Sequence, residues 1–241
     1  MSVRLSRRRF SGARGFTLLE LLVAISILAM ISILIYSAFA AMRRSKEGLE
    51  RLQDRYREAR QAMQRITRDL SSAYLSAHIP LDSRLIVQRT AFVGKSGNPM
   101  DRVDFNAFSN TRRDKDSRET DQVEVSYFGI DNRSGSSGID LARRSGVRPD
   151  LDPQHGGRVE ILATDIDLFE LEYLDPVSAT WSDSWDSTQA SGQLNRLPLQ
   201  VRVTLVLNGG QRARSDGGRG RIRLMTTIAI PIQKPLNFAT L

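Results

Sequence analysis

One carboxylate, Glu20, stands inside a stretch that otherwise has the composition of a membrane span. The residues leading to it read Arg14-Gly15-Phe16-Thr17-Leu18-Leu19-Glu20, a basic leader running into an apolar segment. Residues 21–42 hold no charged side chain, a run long enough to cross a bilayer as a helix. A carboxylate near the start of such a helix costs a few kcal/mol where it faces lipid, so it requires a partner. Leader, glycine, aromatic residue and embedded acid together read as an export-and-assembly signal, not as a catalytic centre.

Other side chains that do chemistry are sparse. The only histidines are His78 and His155, and there is no cysteine. That excludes thiol catalysis, disulfides and cysteine metal sites, and two histidines do not build a zinc centre. No G-x-S-x-G or similar nucleophile context occurs. Asp114, Asp116, Asp121, Asp131, Asp150, Asp152, Asp165 and Asp167 are oxygen donors of the kind calcium takes, but no loop has EF-hand spacing. They read as solvated loop acids. Arg212, Arg214, Arg219, Arg221 and Arg223 form a glycine-rich basic cluster that offers phosphate contacts. The aromatics that stack on single-stranded bases are missing beside it, so it reads as a solvated hairpin, with no nucleic-acid partner expected. Trp181 and Trp185 lie in a polar stretch and are either core plugs or anchors for a neighbouring subunit.

The heptapeptide from Arg14 to Glu20 closely resembles the type III signal of type IV pilins and type II secretion pseudopilins. The resemblance implies cleavage by a prepilin peptidase between Gly15 and Phe16, methylation of the new N-terminus, and a role for Glu20 in neutralising the N-terminal amine of a neighbouring subunit during filament assembly. Two other readings compete for the same residues. Ser6-Arg7-Arg8-Arg9-Phe10 looks like a twin-arginine signal, and Ala38-Phe39-Ala40 like a signal-peptidase site that would release a soluble periplasmic binding protein. Against them stand the length of the apolar run and the acid inside it, which the pilin-type signal requires.

The 241-residue chain carries a net charge of +8. Arg4, Arg7, Arg8, Arg9 and Arg14 all precede Phe16, with no acid among them, so a chain starting at Phe16 carries five charges fewer, +3. The basicity is in part a targeting feature and favours a cytoplasmic N-terminus. Arg43, Arg44 and Lys46 follow the span and soften that asymmetry.

The elements that must position this signal come next. Leu49, Leu52, Tyr56, Ala59, Met63, Ile66, Leu70 and Tyr74 alternate threes and fours through residues 43–77, predicting an amphipathic helix with a narrow apolar stripe that docks on the protein's own sheet. Glu47/Arg51, Asp54/Glu58 and Arg65/Asp69 place charge on its other face, and Pro80 opposes continuation. Beyond it the period changes to two. Strands are expected at Leu85-Ile86-Val87 with Phe92-Val93, at Val103 to Phe108, at Val123 to Ile130, and at Ile139 to Arg144. Further strands are expected around Phe169, Leu171 and Tyr173, along Val201, Val203, Leu205 and Leu207, and from Arg221 to Ile232. Residues 110–120, 143–157, 182–195 and 209–220 read as loops. The expected fold is α+β: a pilin-like N-terminal helix, transmembrane in its first half, packed on an antiparallel-rich β domain. Its divisions are a leader over 1–15, a membrane half-helix over 16–42, an amphipathic half-helix over 43–79 and a periplasmic domain over 80–241.

Asp175-Pro176, then Trp181 and Trp185, then Leu197-Pro198 leading into Val201, Val203 and Leu205, are similar to the C-terminal half of the GspJ family of minor pseudopilins. Taken with the leader, the resemblance implies a structural subunit of a type II secretion system, not an enzyme, in the tip complex that initiates pseudopilus assembly. It implies no cofactor, and it implies prepilin peptidase and GspI-, GspK- and GspH-type subunits as partners. The expected location is the inner membrane, single-pass, with the C-terminal domain in the periplasm. Some pseudopilin relatives bind calcium, but the resemblance maps no ligands onto this chain. A minor type IV pilin for pilus assembly or DNA uptake is the neighbouring alternative.

Overall fold

A computed structural model describes residues 15–77, 90–110, 120–132, 138–147, 155–209 and 220–237. Residues up to Glu50 form one compact unit and residues from Arg51 a second. One helix, α1 (Leu18–Ser71), begins in the first and ends in the second.

Within the first unit, Leu18, Leu19, Leu21, Val23, Ile27 and Ile31 are all exposed, and at 3.6 residues per turn they point to every side of the helix. A helix apolar all round finds its solvent in lipid or in neighbouring helices. The segment is long and apolar enough to cross a membrane. Its few hydroxyls are satisfied within the helix: Ser26, Ser32 and Ser37 donate to the carbonyls of Leu22, Leu28 and Leu34, each at 2.8 Å. Hydrocarbon tolerates only backbone and hydroxyl groups paired in this internal way.

In the second unit the stripe turns inward later than its spacing predicts. Leu49, at the end of the first unit, is exposed; in the second, Tyr56 is exposed, Leu52 is partly covered, and Ala59, Ala62, Met63, Ile66 and Leu70 are buried. Each large aliphatic among them contributes about 1.5–3 kcal/mol by leaving water. The helix also ends earlier, at Ser71 instead of Ala77. The hydroxyls of Ser71 and Ser72 both return to the Arg68 carbonyl, and Ala73 then bridges Ala107 of the sheet. Tyr74 is buried as expected, but off the helix, stacked on Phe108 at 4.0 Å.

The sheet comprises β1 (Phe92–Lys95), β2 (Arg102–Ala107), β3 (Val123–Asp131), β4 (Ile139–Gly146), β5 (Arg158–Leu174), β6 (Trp181–Ser182), β7 (Trp185–Asp186), β8 (Gln200–Asn208) and β9 (Arg221–Ala229). Their order is β7-β1-β2-β3-β4-β5-β8-β9, with β6 paired to β5 off that path, and every pairing is antiparallel. Alternation builds the core face: Val201, Val203, Leu205 and Leu207 of β8 are buried opposite Tyr173, Leu171, Phe169 and Ile166 of β5. An aromatic row crosses it, Trp185 to Tyr173 at 6.3 Å, Tyr173 to Phe92 at 5.9 Å, Phe92 to Phe105 at 5.5 Å and Phe105 to Tyr127 at 6.3 Å. The fold is therefore α+β, a long N-terminal helix whose last turns pack on an antiparallel sheet.

Several loop expectations are corrected. Arg143 and Arg144, where the expected strand and the expected loop overlap, belong to the strand β4, which continues to Gly146, and both are buried. The stretch 182–195 contains β7 and the end of β6. The last strand stops at Ala229, three residues before Ile232. The strand expected at Leu85-Ile86-Val87 lies outside the described residues.

Polar side chains of α1 fix its docking. Arg55 donates through Nε and Nη2 to the Asn208 carbonyl at 3.1 and 2.9 Å and through Nη2 to the Thr164 carbonyl at 3.0 Å. Glu58 accepts the Thr164 amide at 2.7 Å. Both side chains reach β5 where its register shifts and Asp165 takes a φ of 49°. There Asp140 accepts the Asp165 amide at 2.9 Å.

Candidate functional site

Gly15, Phe16 and Thr17 precede the first helical residue. The Thr17 carbonyl accepts the Leu21 amide at 3.2 Å, and its hydroxyl accepts the Glu20 amide at 3.3 Å. Thr17 is thus the N-cap and Glu20 the third helical position, the spacing of a capping box. A carboxylate in the first turn also meets the positive end of the helix dipole. Phe16 is 81% exposed, and a Cβ placed on Gly15 would meet nothing within 4 Å. The Gly15-Phe16 bond is therefore open and non-helical, while Glu20 is held one turn inside the helix. Ala38, Phe39 and Ala40 lie mid-helix, where the backbone is occupied by helical hydrogen bonds.

The two tryptophans have different fates. Trp185 is buried to 1% exposure and donates its indole N–H to the Arg196 carbonyl at 3.0 Å. Of the two readings given above for the tryptophans, core plug or partner anchor, its place in the fold is that of a core plug. Trp181 is 36% exposed, with the Arg202 guanidinium 4.1 Å from its ring centroid. Arg202 in turn pairs with Glu172 at 2.9 Å, which orders a flat aromatic-cationic ladder at the surface.

A buried ionic cluster escaped the sequence reading. Asp69, assigned above to the charged outer face, is fully buried. Its Oδ2 accepts from Tyr127 Oη and from Arg143 Nε, both at 2.7 Å, and Arg65 lies 3.5 Å away. Arg143 also meets Glu160 at 3.1 Å. Burial pushes the Tyr127 hydroxyl well above its ordinary pKa, and the Asp69 charge adds to that. Burial works against the Arg143 charge, yet Asp69 beside it carries the guanidinium pKa above its ordinary value. The available signal was position: Asp69 is three residues after Ile66 and adjacent to Leu70, on the stripe itself. A second cluster joins Asp104 to Arg102 by two 2.8 Å bonds and to Ser126, which accepts from Arg144 Nη2 at 2.8 Å. These clusters tie strands and helix together.

Among the described residues no group of three or more histidine, aspartate or glutamate side chains converges as a metal site. Asp165 and Asp167 are tied to the β5 region, Asp167 through Arg221 at 2.8 Å. The His155 carbonyl accepts from Arg144. His78, Asp114, Asp116, Asp150, Asp152, Arg212, Arg214 and Arg219 lie outside the described residues. Arg221 and Arg223 are on β9.

A capped, apolar N-terminal helix ending against an antiparallel sheet is a pilin-like architecture. The prokaryotic N-terminal methylation motif matches residues 10–36. The family model for type II secretion system protein J matches residues 37–215, and the chain belongs to that family, the minor pseudopilins. It is also similar to a chain of the GspK-GspI-GspJ complex from the enterotoxigenic Escherichia coli type 2 secretion system, at 18% identity over 73% of this chain and 99% of that one, with a TM-score of 0.45. The type IV-like pilin TTHA1219 from Thermus thermophilus is 14% identical over 73% of this chain and 96% of its own, again with a TM-score of 0.45.

Proposed function

We propose that this minor pseudopilin is a structural subunit of the tip complex that primes pseudopilus assembly. A prepilin peptidase cuts the open Gly15-Phe16 bond. The apolar half of α1 then holds the subunit in the inner membrane with its sheet domain in the periplasm. Glu20 neutralises the new amine of a neighbouring subunit, which supplies the partner a carboxylate in lipid requires. The partners are other minor pseudopilins of the GspI-, GspK- and GspH-type, and Trp181 is one contact they use.

The observation that carries this reading is the capping geometry. Thr17 caps the helix after the cleavage step, so trimming at Phe16 removes the leader without removing the cap or Glu20. Intact mass and N-terminal peptide mapping of the membrane-extracted protein, with and without the peptidase, tests it. A peptidase-dependent start at Phe16 is expected. A start near Ala41 would remove both the anchor and Glu20 and overturn the proposal.

A further inference from the structure

Between the last turns of α1 and β9 runs a groove of about 400 Å³ within the second unit. Its floor is Met63 and Leu224, its strand lip is Met225, and its helix lip is the ridge Arg60, Gln64 and Arg68. Met225 is 60% exposed, and the three ridge residues are exposed as well. Three features bear on what fits there. First, β9 ends the sheet order and, among the described residues, pairs with β8 alone over nine residues. An edge of that length presents unpaired N–H and C=O groups to any incoming strand, and no proline interrupts it. Second, the rim is basic. Arg60 and Arg68 enter no ion pair among the described residues, whereas Arg57 on the same helix is neutralised by Asp54. Third, the charges are spaced for an extended chain. Arg60 and Arg68 are eight residues apart on one helix face, about 12 Å at the helical rise. Carboxylates four residues apart on one face of a strand are about 13 Å apart.

We infer that this groove is a docking site for an extended segment of a partner filament subunit. The segment adds as a strand to β9 and carries the pattern acid-x-apolar-x-acid. Its backbone pairs with β9, its central apolar side chain lies over Met63 and Leu224, and its flanking carboxylates meet Arg60 and Arg68. Backbone pairing supplies affinity and the side-chain pattern supplies selection, as in strand addition generally. The inference deepens the assembly reading and rests on it.

The test uses the full chain in cells carrying the complete secretion system, with a photo-reactive phenylalanine analogue in place of Met225. The expected product is a crosslink to a strand-forming segment of another minor pseudopilin in which acids flank an apolar residue. The variant R60E/R68E should lower its yield about tenfold or more, the equivalent of some 1.4 kcal/mol. R60K/R68K should keep it, because a point charge suffices for a single carboxylate. Exchanging the partner's two acids for lysine should restore the crosslink to R60E/R68E. A crosslink to a second copy of this chain, a crosslink to lipid, or none at all would overturn the inference. Peptidase-dependent processing at Phe16, read in the same cells, reports separately on the assembly reading. Intact processing without the crosslink removes the docking site alone.

Discussion

Arg143 of β4 donates to Asp69 of α1 at 2.7 Å, with 2% of the arginine side chain and none of the aspartate side chain exposed. This ion pair ties the helix to the middle of the sheet, and Tyr127 of β3 closes it from the same side. The pair repays its desolvation only because both partners are present with the added hydroxyl bond.

Removing one partner should therefore cost much more than removing all of them. Asp69→Ala leaves a buried guanidinium with only the solvent-exposed Glu160 as counter-charge and should destabilise the second unit by about 3 kcal/mol. At roughly 2–4 °C per kcal/mol for a unit of this size, that is a loss of about 6–12 °C in Tm. The triple variant Asp69→Leu, Arg143→Met, Tyr127→Phe should recover most of the loss. Thermal unfolding of the detergent-solubilised chain followed by circular dichroism reads both. A triple variant less stable than Asp69→Ala would show that the cluster is a net stabiliser.

The two tryptophans should separate stability from assembly. Trp185→Ala opens the aromatic row and should cost about 3–5 kcal/mol. Trp181→Ala loses the Arg202 stack, about 0.5–1 kcal/mol at a half-open site. It should leave Tm nearly unchanged while weakening recovery of the other minor pseudopilins in a co-purification. Unchanged recovery would remove Trp181 from the contact surface.

What the sequence made legible was whatever is encoded locally. The alternation of Val201 to Leu207 names its own buried face, and the step from Gly15 to Glu20 carries its meaning within one turn. What stayed hidden depends on distant partners. Asp69 looks like half of a solvated pair with Arg65, because Tyr127 and Arg143 lie 58 and 74 residues away in sequence. Arg143 and Arg144, at the overlap of an expected strand and an expected loop, look like solvated charges for the same reason. In the sequence Pro80 is the visible stop, so the helical pattern reads past Ser71. The actual stop is Ser71 and Ser72 returning to Arg68 while Ala73 joins the sheet, a tertiary event that no propensity announces.

Gly94 of β1 should prove intolerant of any side chain. A Cβ there would lie 2.2 Å from Tyr173 Oη and 2.4 Å from Cζ, inside a ring that is fully buried. Gly94→Ala should destabilise by about 1–3 kcal/mol through overpacking. Tyr173→Phe alone should cost little, because that hydroxyl has no hydrogen-bond partner among the described residues. It should not rescue Gly94→Ala, since Cζ remains in the way. Tyr173→Leu, which vacates the ring position, should rescue in part. Chemical denaturation midpoints of the four variants decide this, and a well-tolerated Gly94→Ala would mean that the ring moves aside.

Alkaline pH should unfold the second unit through its tyrosines. Burial raises the Tyr74 hydroxyl to about 12, with Glu124 adding to it. Burial raises Tyr127 and Tyr173 well above the ordinary value of 10, helped by Asp69 in one case and by Asp101 and Asp104 in the other. In the unfolded chain all three ionise near 10, so the folded state binds more protons above that pH. Stability is then level below about pH 9 and falls as pH rises through 10 toward the folded values, by about 1.4 kcal/mol per pH unit for each tyrosine ionised only when unfolded. Phenolate absorbance from these three should appear together with loss of sheet circular dichroism, and Tyr127→Phe should make the fall less steep. Phenolate formation from all three ahead of unfolding would show that water reaches the hydroxyls, and that α1 is not sealed against the sheet as the ion pair at Asp69 requires.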